Sequence, residues 1–188
     1  MIYTELTKKA INIAYKAYDG RLDDHDCPYI MQLEYLPEIF CGFYYPDDRT
    51  YPSFKKYDHD IIREYLVCIG WLHDIIKDTD ITLEKLAKEF PKEIVDAIDI
   101  LTIKKGMNYS DYIDVVSQND FAREIKIQEL AKNKRNMEDR IRYNGTNLTE
   151  HEKQLYDIYS DAIYSLEYTN FVNKRTSYKN EENGDERK

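Results

Sequence analysis

The fold is decided by the stretch Trp71-Leu72-His73-Asp74-Ile75-Ile76-Lys77-Asp78-Thr79. It ends an apolar segment, residues 60–77, whose Ile, Leu, Val, Cys and Trp content predicts a helix in the domain centre. His73 and Asp74 place an imidazole and a carboxylate side by side, where both are costly to bury without a partner. A divalent cation satisfies such a pair, because these ligands together suit Mn, Fe or Zn. Alone the dipeptide is weak evidence, since a surface pair or a pair satisfied within the core explains it better.

Helical spacing of apolar residues predicts seven further helices around this segment. They are expected at residues 4–18, 28–40, 83–90, 91–103, 109–116, 121–142 and 149–167. Pro37 is expected to kink the second. Asn119-Asp120 and the capping-box pair Thr149 and Glu152 mark the starts of the last two. Because no strand pattern competes, the sequence predicts an all-α fold of about eight helices.

Two stretches lie outside the predicted helices. Residues 41–57 contain Gly42, two prolines and many aromatic side chains, which predicts a long loop without a regular element. Long loops in compact domains are often functional. After Tyr168 the chain becomes polar and charged, so residues 169–188 are predicted to form a disordered tail. A 188-residue chain with 42% hydrophobic residues then forms one domain, residues 1–168.

Composition restricts the partners and the compartment. A formal charge of -9 opposes direct nucleic-acid binding, which needs cationic side chains, but suits a basic protein partner. No apolar run approaches the roughly 20 residues that span a membrane, and the N-terminus lacks a signal-peptide pattern, so we expect a cytoplasmic protein. Three cysteines without a C-x-x-C pair are expected to be buried thiols. The 18 tyrosines are expected to serve packing, with a partner-binding aromatic surface as the alternative.

Several segments, in order and with compatible spacing, resemble the hydrolase domain of the RelA/SpoT family and its small stand-alone relatives. In that family Pro-Tyr-Ile leads to a ligand histidine; this chain has Pro28-Tyr29-Ile30-Met31-Gln32. The family's central helix ends in His-Asp, two residues and Glu-Asp-Thr, like residues 73–79. Its late helix carries Val-Lys-Leu-Ala-Asp-Leu and an Asn four residues after the Asp, where this chain has Ile125-Lys126-Ile127-Gln128-Glu129-Leu130 and Asn133. The resemblance covers residues 2–167 and implies a single HD-domain helical bundle related to hydrolases of guanosine tetra- and pentaphosphate.

The resemblance implies a metal site, with Mn as the expected ion, at His73, Asp74, Glu129 and Gln32. Only His73 and Asp74 keep the family's residue types. Gln32 replaces a histidine by a neutral and weaker ligand, and Glu129 adds a methylene to a site that is sensitive to fractions of an ångström. Two retained ligands seldom hold a metal tightly, so we expect metal binding to be weak or absent.

The resemblance also implies the catalytic positions and the nucleotide contacts. Lys77 and Asp78 take the place of the family's Glu-Asp pair, whose Glu is thought to orient or deprotonate the attacking water. A protonated lysine cannot act as a general base, and it repels a metal. The implied nucleotide-binding residues are Tyr29, Lys126 and Asn133. Asp23 falls where the family usually has a basic residue, and its charge would repel phosphates.

Three functions remain open at this point. The first is a binding, regulatory or inhibitory pseudoenzyme whose partner is a nucleotide or a basic protein. The second is an active Mn-dependent hydrolase of guanosine polyphosphates or a related nucleotide, in which the four predicted ligands hold the metal, Asp78 assists the water and Lys77 contacts phosphate. Replacement of a lost ligand by His25 or His59 is a separate alternative. The third is a helical domain in which His73 and Asp74 form only a buried hydrogen bond.

Overall fold

The computed structural model describes residues 4–24, 26–42, 50–145 and 147–185, with side chains described through Tyr168 except for Asn144. Within these ranges no strand occurs, and a single bridge joins Leu22 to Pro28. The all-α prediction is confirmed. The helices are α1 (Glu5–Ala17), α2 (Ile30–Leu33), α3 (Tyr35–Cys41), a 3-10 helix (Pro52–Lys56), α4 (His59–Leu72), α5 (Ile75–Asp78), α6 (Leu83–Leu86), α7 (Lys92–Leu101), α8 (Tyr109–Ser117), α9 (Asp120–Asn144) and α10 (Glu150–Asp185).

Two of the eight predicted helices are split in the structure, which accounts for the ten α-helices among the described residues. Residues 28–40 form α2 and α3, with the break at Glu34. Pro37 has no amide hydrogen to donate to the carbonyl of Leu33, so the helix is interrupted before the proline, where only a kink was predicted. Residues 60–77 form α4 and α5, and the break falls at His73 and Asp74.

Helix α4 occupies the centre of the domain, as its apolar sequence predicted. It packs against α1, α3, α7 and α9, and every residue from Leu66 to Leu72 is buried. Gly70 lies where α3 crosses: a β-carbon here would lie 3.0 Å from the backbone nitrogen of Pro37. The missing side chain therefore permits the close approach of α3 to the end of α4 that carries His73.

The predicted caps of the last two helices are confirmed. The side chain of Asn119 accepts a hydrogen bond from the amide of Ala122 at 2.9 Å, and α9 ends at Gly145 in the left-handed conformation. The hydroxyl of Thr149 accepts from the amide of Glu152 at 3.2 Å, which completes the capping box. Helix α10 continues to Asp185, so the expected helix end near residue 167 is wrong. A disordered tail at residues 169–188 stays a prediction.

The described part of the predicted loop at residues 41–57 is fixed to the first turns of α9. Residues 43–49 lie outside the described residues. Arg123 is fully buried, contacts Asp120 at 2.6 Å and donates to the carbonyl of Thr50 at 3.1 Å. The Tyr51 hydroxyl donates to the buried Glu124. Residues 50–57 therefore do not form an irregular loop throughout: they include the 3-10 helix and belong to the packed body.

The cysteines differ in burial, and the helices can be compared with the length and apolar character of a membrane span. Cys68 is buried, and burial raises the pKa of its thiol. Cys27 is exposed, so the prediction of a buried thiol is wrong there, because it lies on the surface turn between α1 and α2. In the part of the chain that the structure describes, no helix has both the length and the apolar character needed to cross a membrane.

Candidate functional site

The His-Asp pair lies at the break between α4 and α5, near the domain centre. The Nδ1 atom of His73 lies 2.9 Å from the carbonyl oxygen of Gly70. Because a carbonyl only accepts, Nδ1 carries the hydrogen in this contact. Nε2 lies 3.4 Å from an Asp74 carboxylate oxygen. The structure thus brings together the two retained residues of the predicted site.

Lys77 is paired with the carboxylate beside His73. Its Nζ lies 2.8 Å from one oxygen of Asp74 and 3.9 Å from an oxygen of Asp78. Burial raises the pKa of Asp74, but the charges of His73 and Lys77 outweigh this effect, and the net pKa lies below its ordinary value. The ammonium therefore keeps Asp74 ionised and serves as its counter-ion.

Asp78 is covered by residues of the segment between α1 and α2, and its side chain is only 9% exposed. The Tyr29 hydroxyl donates to one of its oxygens at 3.2 Å. Arg21 donates to its backbone carbonyl at 3.1 Å and lies 3.8 Å from the carboxylate. The guanidinium also lies 4.4 Å from the centroid of the Tyr29 ring. Burial, followed by the nearby carboxylate charges, raises the pKa of Tyr29 to about 12.

Tyr18 completes this cluster from the end of α1. Its ring stacks on Tyr29 at a centroid distance of 5.3 Å, and the residue is 2% exposed. Its hydroxyl is buried and has no hydrogen-bond partner among the described residues. Burial and the charges of Asp78 and Asp74 raise the pKa of this hydroxyl, so it stays protonated and available as a donor.

A second ion pair lies on α9. The Nζ of Lys126 is 2.7 Å from an oxygen of Glu129, and it also lies 5.3 Å from the centroid of the Tyr112 ring. Burial lowers the pKa of Lys126, but the Glu129 carboxylate outweighs this effect and the net pKa is raised. The predicted nucleotide contact and the predicted metal ligand are thus bound to each other.

The side chain of Gln32 is hydrogen-bonded to the segment that precedes it, and its backbone is hydrogen-bonded to α9. Its amide Nε2 donates to a carboxylate oxygen of Asp23 at 2.7 Å. Its backbone carbonyl accepts from Lys132 at 2.9 Å, and that ammonium lies over the Tyr35 ring. Gln32 stands where the resembling family has a ligand histidine, and Asp23 stands where it usually has a basic residue. In this structure the two side chains are hydrogen-bonded to each other.

These contacts do not suit a tightly held divalent cation. Among the described residues, no three His, Cys, Asp or Glu side chains come together in a way that could hold one metal ion. Asp74 and Glu129 each already have an ammonium at hydrogen-bond distance. His25 lies outside the described residues, and His59 lies on the exposed first turn of α4, about 20 Å from His73 along the helix. His59 therefore does not supply a missing ligand.

The remaining predicted contact, Asn133, lies one turn beyond Glu129 on α9 and is partly buried. No contact in the structure assigns it a role, so its part in nucleotide binding stays a prediction. The sequence did not single out four residues that build the site. These are Tyr18, Arg21, Tyr112 and Lys132. The high tyrosine count was the only available signal, and it does not say which rings meet.

An all-α bundle whose central helix ends in a His-Asp pair, with the histidine buried, defines the class: the fold is that of an HD domain. No protein-family model matches the sequence. The chain is similar to the solved structure of a metazoan ortholog of SpoT, a protein described as hydrolysing ppGpp and playing a role in starvation responses. The two share 16% identity, with a TM-score of 0.57 over 94% of this chain and 98% of the other. The likeness extends over both chains and shows the HD-type, SpoT-like fold.

Proposed function

We propose that this chain is a non-hydrolysing relative of the alarmone pyrophosphohydrolases, a binding or regulatory protein of the cytoplasm. One observation carries the proposal: each carboxylate next to the predicted metal position is paired with a lysine of the same chain. Lys77 contacts Asp74 at 2.8 Å, and Lys126 contacts Glu129 at 2.7 Å. A divalent cation entering the site would compete with these ammonium groups, and a displaced ammonium would lose its counter-ion.

The other departures support the same function. The Gln32 amide is engaged by Asp23, and Asp78, the remaining acid of the expected catalytic pair, is covered by Arg21 and Tyr29. A general base must reach the proton that it removes, and the contacts of Asp78 with Arg21 and Tyr29 stand in the way. The polar side chains of the site therefore have one another as hydrogen-bond and ion-pair partners.

A basic protein is the partner that the composition favours, because the chain carries a formal charge of -9. An inhibitor that presents carboxylates to a basic nucleic-acid-binding protein is one form of this role. A nucleotide in the site is the other candidate ligand, since Tyr29 and Lys126 lie at positions that the family resemblance assigns to the nucleotide.

A second candidate function is an active Mn-dependent nucleotide (pyro)phosphohydrolase. The observation that favours it is the His73 ring, whose Nδ1 is held by Gly70 while Nε2 faces Asp74. In metal sites a histidine commonly donates from one ring nitrogen to a carbonyl or carboxylate while the other nitrogen binds the metal, and the His73 ring makes the first of these contacts. The similar structure belongs to a protein described as hydrolysing ppGpp, which supports the same candidate.

The test is the metal content of the full chain purified without chelator, followed by incubation of guanosine tetraphosphate with added Mn²⁺. We expect metal far below one equivalent and no release of pyrophosphate. His73→Ala is the informative variant, and His151→Ala is its matched control, because His151 is exposed in the first turn of α10.

About one equivalent of metal, with turnover lost in His73→Ala and kept in His151→Ala, would establish the hydrolase and overturn the proposal. If no turnover occurs, calorimetry with guanosine tetraphosphate distinguishes the two kinds of partner. Saturable binding identifies a nucleotide-binding protein, and no binding directs the search to basic proteins.

A further inference from the structure

A groove lies between α8 and α10, which pack against each other. It has a volume of about 250 Å³. Its floor includes Ile113 of α8 and Ala162 of α10, and each of them is only 5% exposed. Its rim has three exposed polar residues, Ser110, Asp161 and Ser165. An apolar floor that opens to solvent between polar residues is typical of an interaction site.

Exposed apolar side chains extend this groove along α10. Ile158 lines the groove and is 43% exposed. Tyr164 and Tyr168 are 69% and 55% exposed, and their rings stack on each other at a centroid distance of 6.1 Å. Tyr168 lies three residues after Ser165 of the rim, a spacing at which helical side chains are neighbours. Because tyrosine has an apolar ring and a polar tip, it is enriched where protein surfaces meet.

The helical stretches that form the groove carry acids and no cations. Residues 109–117 of α8 and 154–168 of α10 contain no lysine, arginine or histidine. They contain five exposed acids, which are Asp111, Asp114, Asp157, Asp161 and Glu167. In the part of the chain that the structure describes, none of these five forms an ion pair. Asp157 lies one helical turn before Asp161, and Asp114 one turn after Ser110, so both flank the groove.

We infer that the α8–α10 groove is a docking surface for a basic amphipathic helix of a protein partner. Apolar side chains on one face of such a helix enter the groove, and lysines or arginines beside them meet the carboxylates of the rim. The charge argues against other occupants. A second copy of the chain would place five carboxylates opposite five others, and nucleic acid would be repelled in the same way. The inference rests on the proposed function, because it locates the basic partner proposed there.

A synthetic peptide tests the surface without the natural partner. The probe has leucines at helical spacing on one face and lysines on the other, and its control is a scrambled peptide of the same composition. In fluorescence anisotropy at fixed salt, we expect the full chain to bind the probe saturably, with one peptide per chain. The scrambled peptide should bind about tenfold more weakly. The inference is overturned if no saturable binding occurs or if the two peptides bind equally.

Variants of the groove test whether binding depends on both its charge and its apolar surface. Asp157→Asn with Asp161→Asn removes two carboxylates, and Ile158→Asn removes an exposed apolar side chain. Each should weaken binding of the probe about fivefold. Wild-type affinity in both variants would contradict the inference. The charge reversal Asp157→Lys with Asp161→Lys guards against a folding defect: it should lose the lysine peptide and bind a leucine-glutamate peptide instead.

Matched controls separate the groove from the general negative charge of the chain. Glu38→Gln with Asp80→Asn removes the same charge from exposed positions on α3 and after α5. Ile141→Asn changes an isoleucine of α9 that is 44% exposed. Both controls should bind the probe within about twofold of the wild type, because salt screens charges outside the contact. Losses equal to those of the groove variants would show unspecific attraction and overturn the inference.

Alkylation locates the bound peptide. Ser110→Cys places a thiol on the exposed rim, and the exposed Cys27 serves as the internal reference. Saturating probe should slow alkylation at position 110 several-fold relative to Cys27, and an unchanged ratio would place the peptide elsewhere and end the inference.

Two further measurements separate this inference from its alternatives. Light scattering of the full chain tests for a second copy: a dimer that Ile158→Asn dissociates would make the groove a contact between copies and overturn the inference. The proposed function fails by a different result. Metal-dependent turnover in the wild type would end the pseudoenzyme proposal, whereas the peptide measurements report on the groove alone.

Discussion

If a lysine replaces a metal as the counter-ion of Glu129, removing that lysine should destabilise the fold in a way that a second substitution corrects. Lys126→Met keeps an unbranched apolar side chain at this position and leaves the Glu129 carboxylate without its cation. Breaking a buried pair costs about 3–5 kcal/mol. Glu129 is 25% exposed, so water offsets part of this cost, and we expect a loss of about 2–3 kcal/mol.

The double variant Lys126→Met with Glu129→Gln should be stable to within about 1 kcal/mol of the wild type, because no charge is left unpaired. The assay is urea unfolding at neutral pH and fixed salt, followed by circular dichroism, with all four proteins of the cycle measured together. Mn²⁺ should leave the wild-type midpoint unchanged. The reasoning is refuted if Lys126→Met costs less than about 0.5 kcal/mol, if the double variant is no more stable than Lys126→Met, or if Mn²⁺ stabilises the wild type.

Three further predictions concern the neighbouring contacts. Gly70→Ala should lower stability by about 1–3 kcal/mol in the same unfolding assay, because the new methyl group meets the backbone nitrogen and the ring of Pro37 in α3; a neutral effect would contradict the packing. Tyr29→Phe should cost about 1 kcal/mol by removing a donor from a buried carboxylate, whereas Tyr18→Phe should be neutral or stabilising, since none of the described residues bonds its hydroxyl; equal losses in thermal denaturation would argue against this contrast. The folded-state pKa of Asp74 lies below 3.8, so its contribution is present above pH 3.8 and is lost as pH falls through the folded value; acid unfolding of Lys77→Met should begin at higher pH, and an unchanged acid midpoint would count against the pairing.

The helical class and most helix starts could be predicted because they depend on neighbours along the chain. Asn119 and Thr149 cap helices through contacts three residues away, and Gly145 supplies the conformation that ends α9. The break at His73 and Asp74 could not be predicted, because apolar residues continue on both sides and the helical pattern continues with them. At the break the His73 ring contacts the carbonyl of Gly70, a contact that belongs to the folded structure and is not encoded in the helical pattern.

Some contacts of the candidate site join residues close in sequence, and others join residues far apart. The pair of Lys77 with Asp74 and that of Lys126 with Glu129 are both separated by three residues on the sequence, a spacing at which helical side chains meet. The sequence therefore contained both contacts. Arg21 reaches Asp78 across 57 residues, and no local pattern specifies such a contact. What could not be predicted was the set of residues that closes the site, because tertiary packing brings it together.

The charge of residue 77 determines whether the carboxylates beside it need a metal ion to balance their charge. Asp74 and Asp78 lie on either side of the Lys77 ammonium, at 2.8 and 3.9 Å. A glutamate at this position, as in the resembling family, would place a third carboxylate beside two others. Like charges this close cannot all ionise without a cation between them. The positive charge must then come from solution, whereas lysine supplies it from the chain. On the proposed function, Lys77 supplies the charge that a metal ion supplies in the resembling family, and the site does not hold the ion that hydrolysis would use.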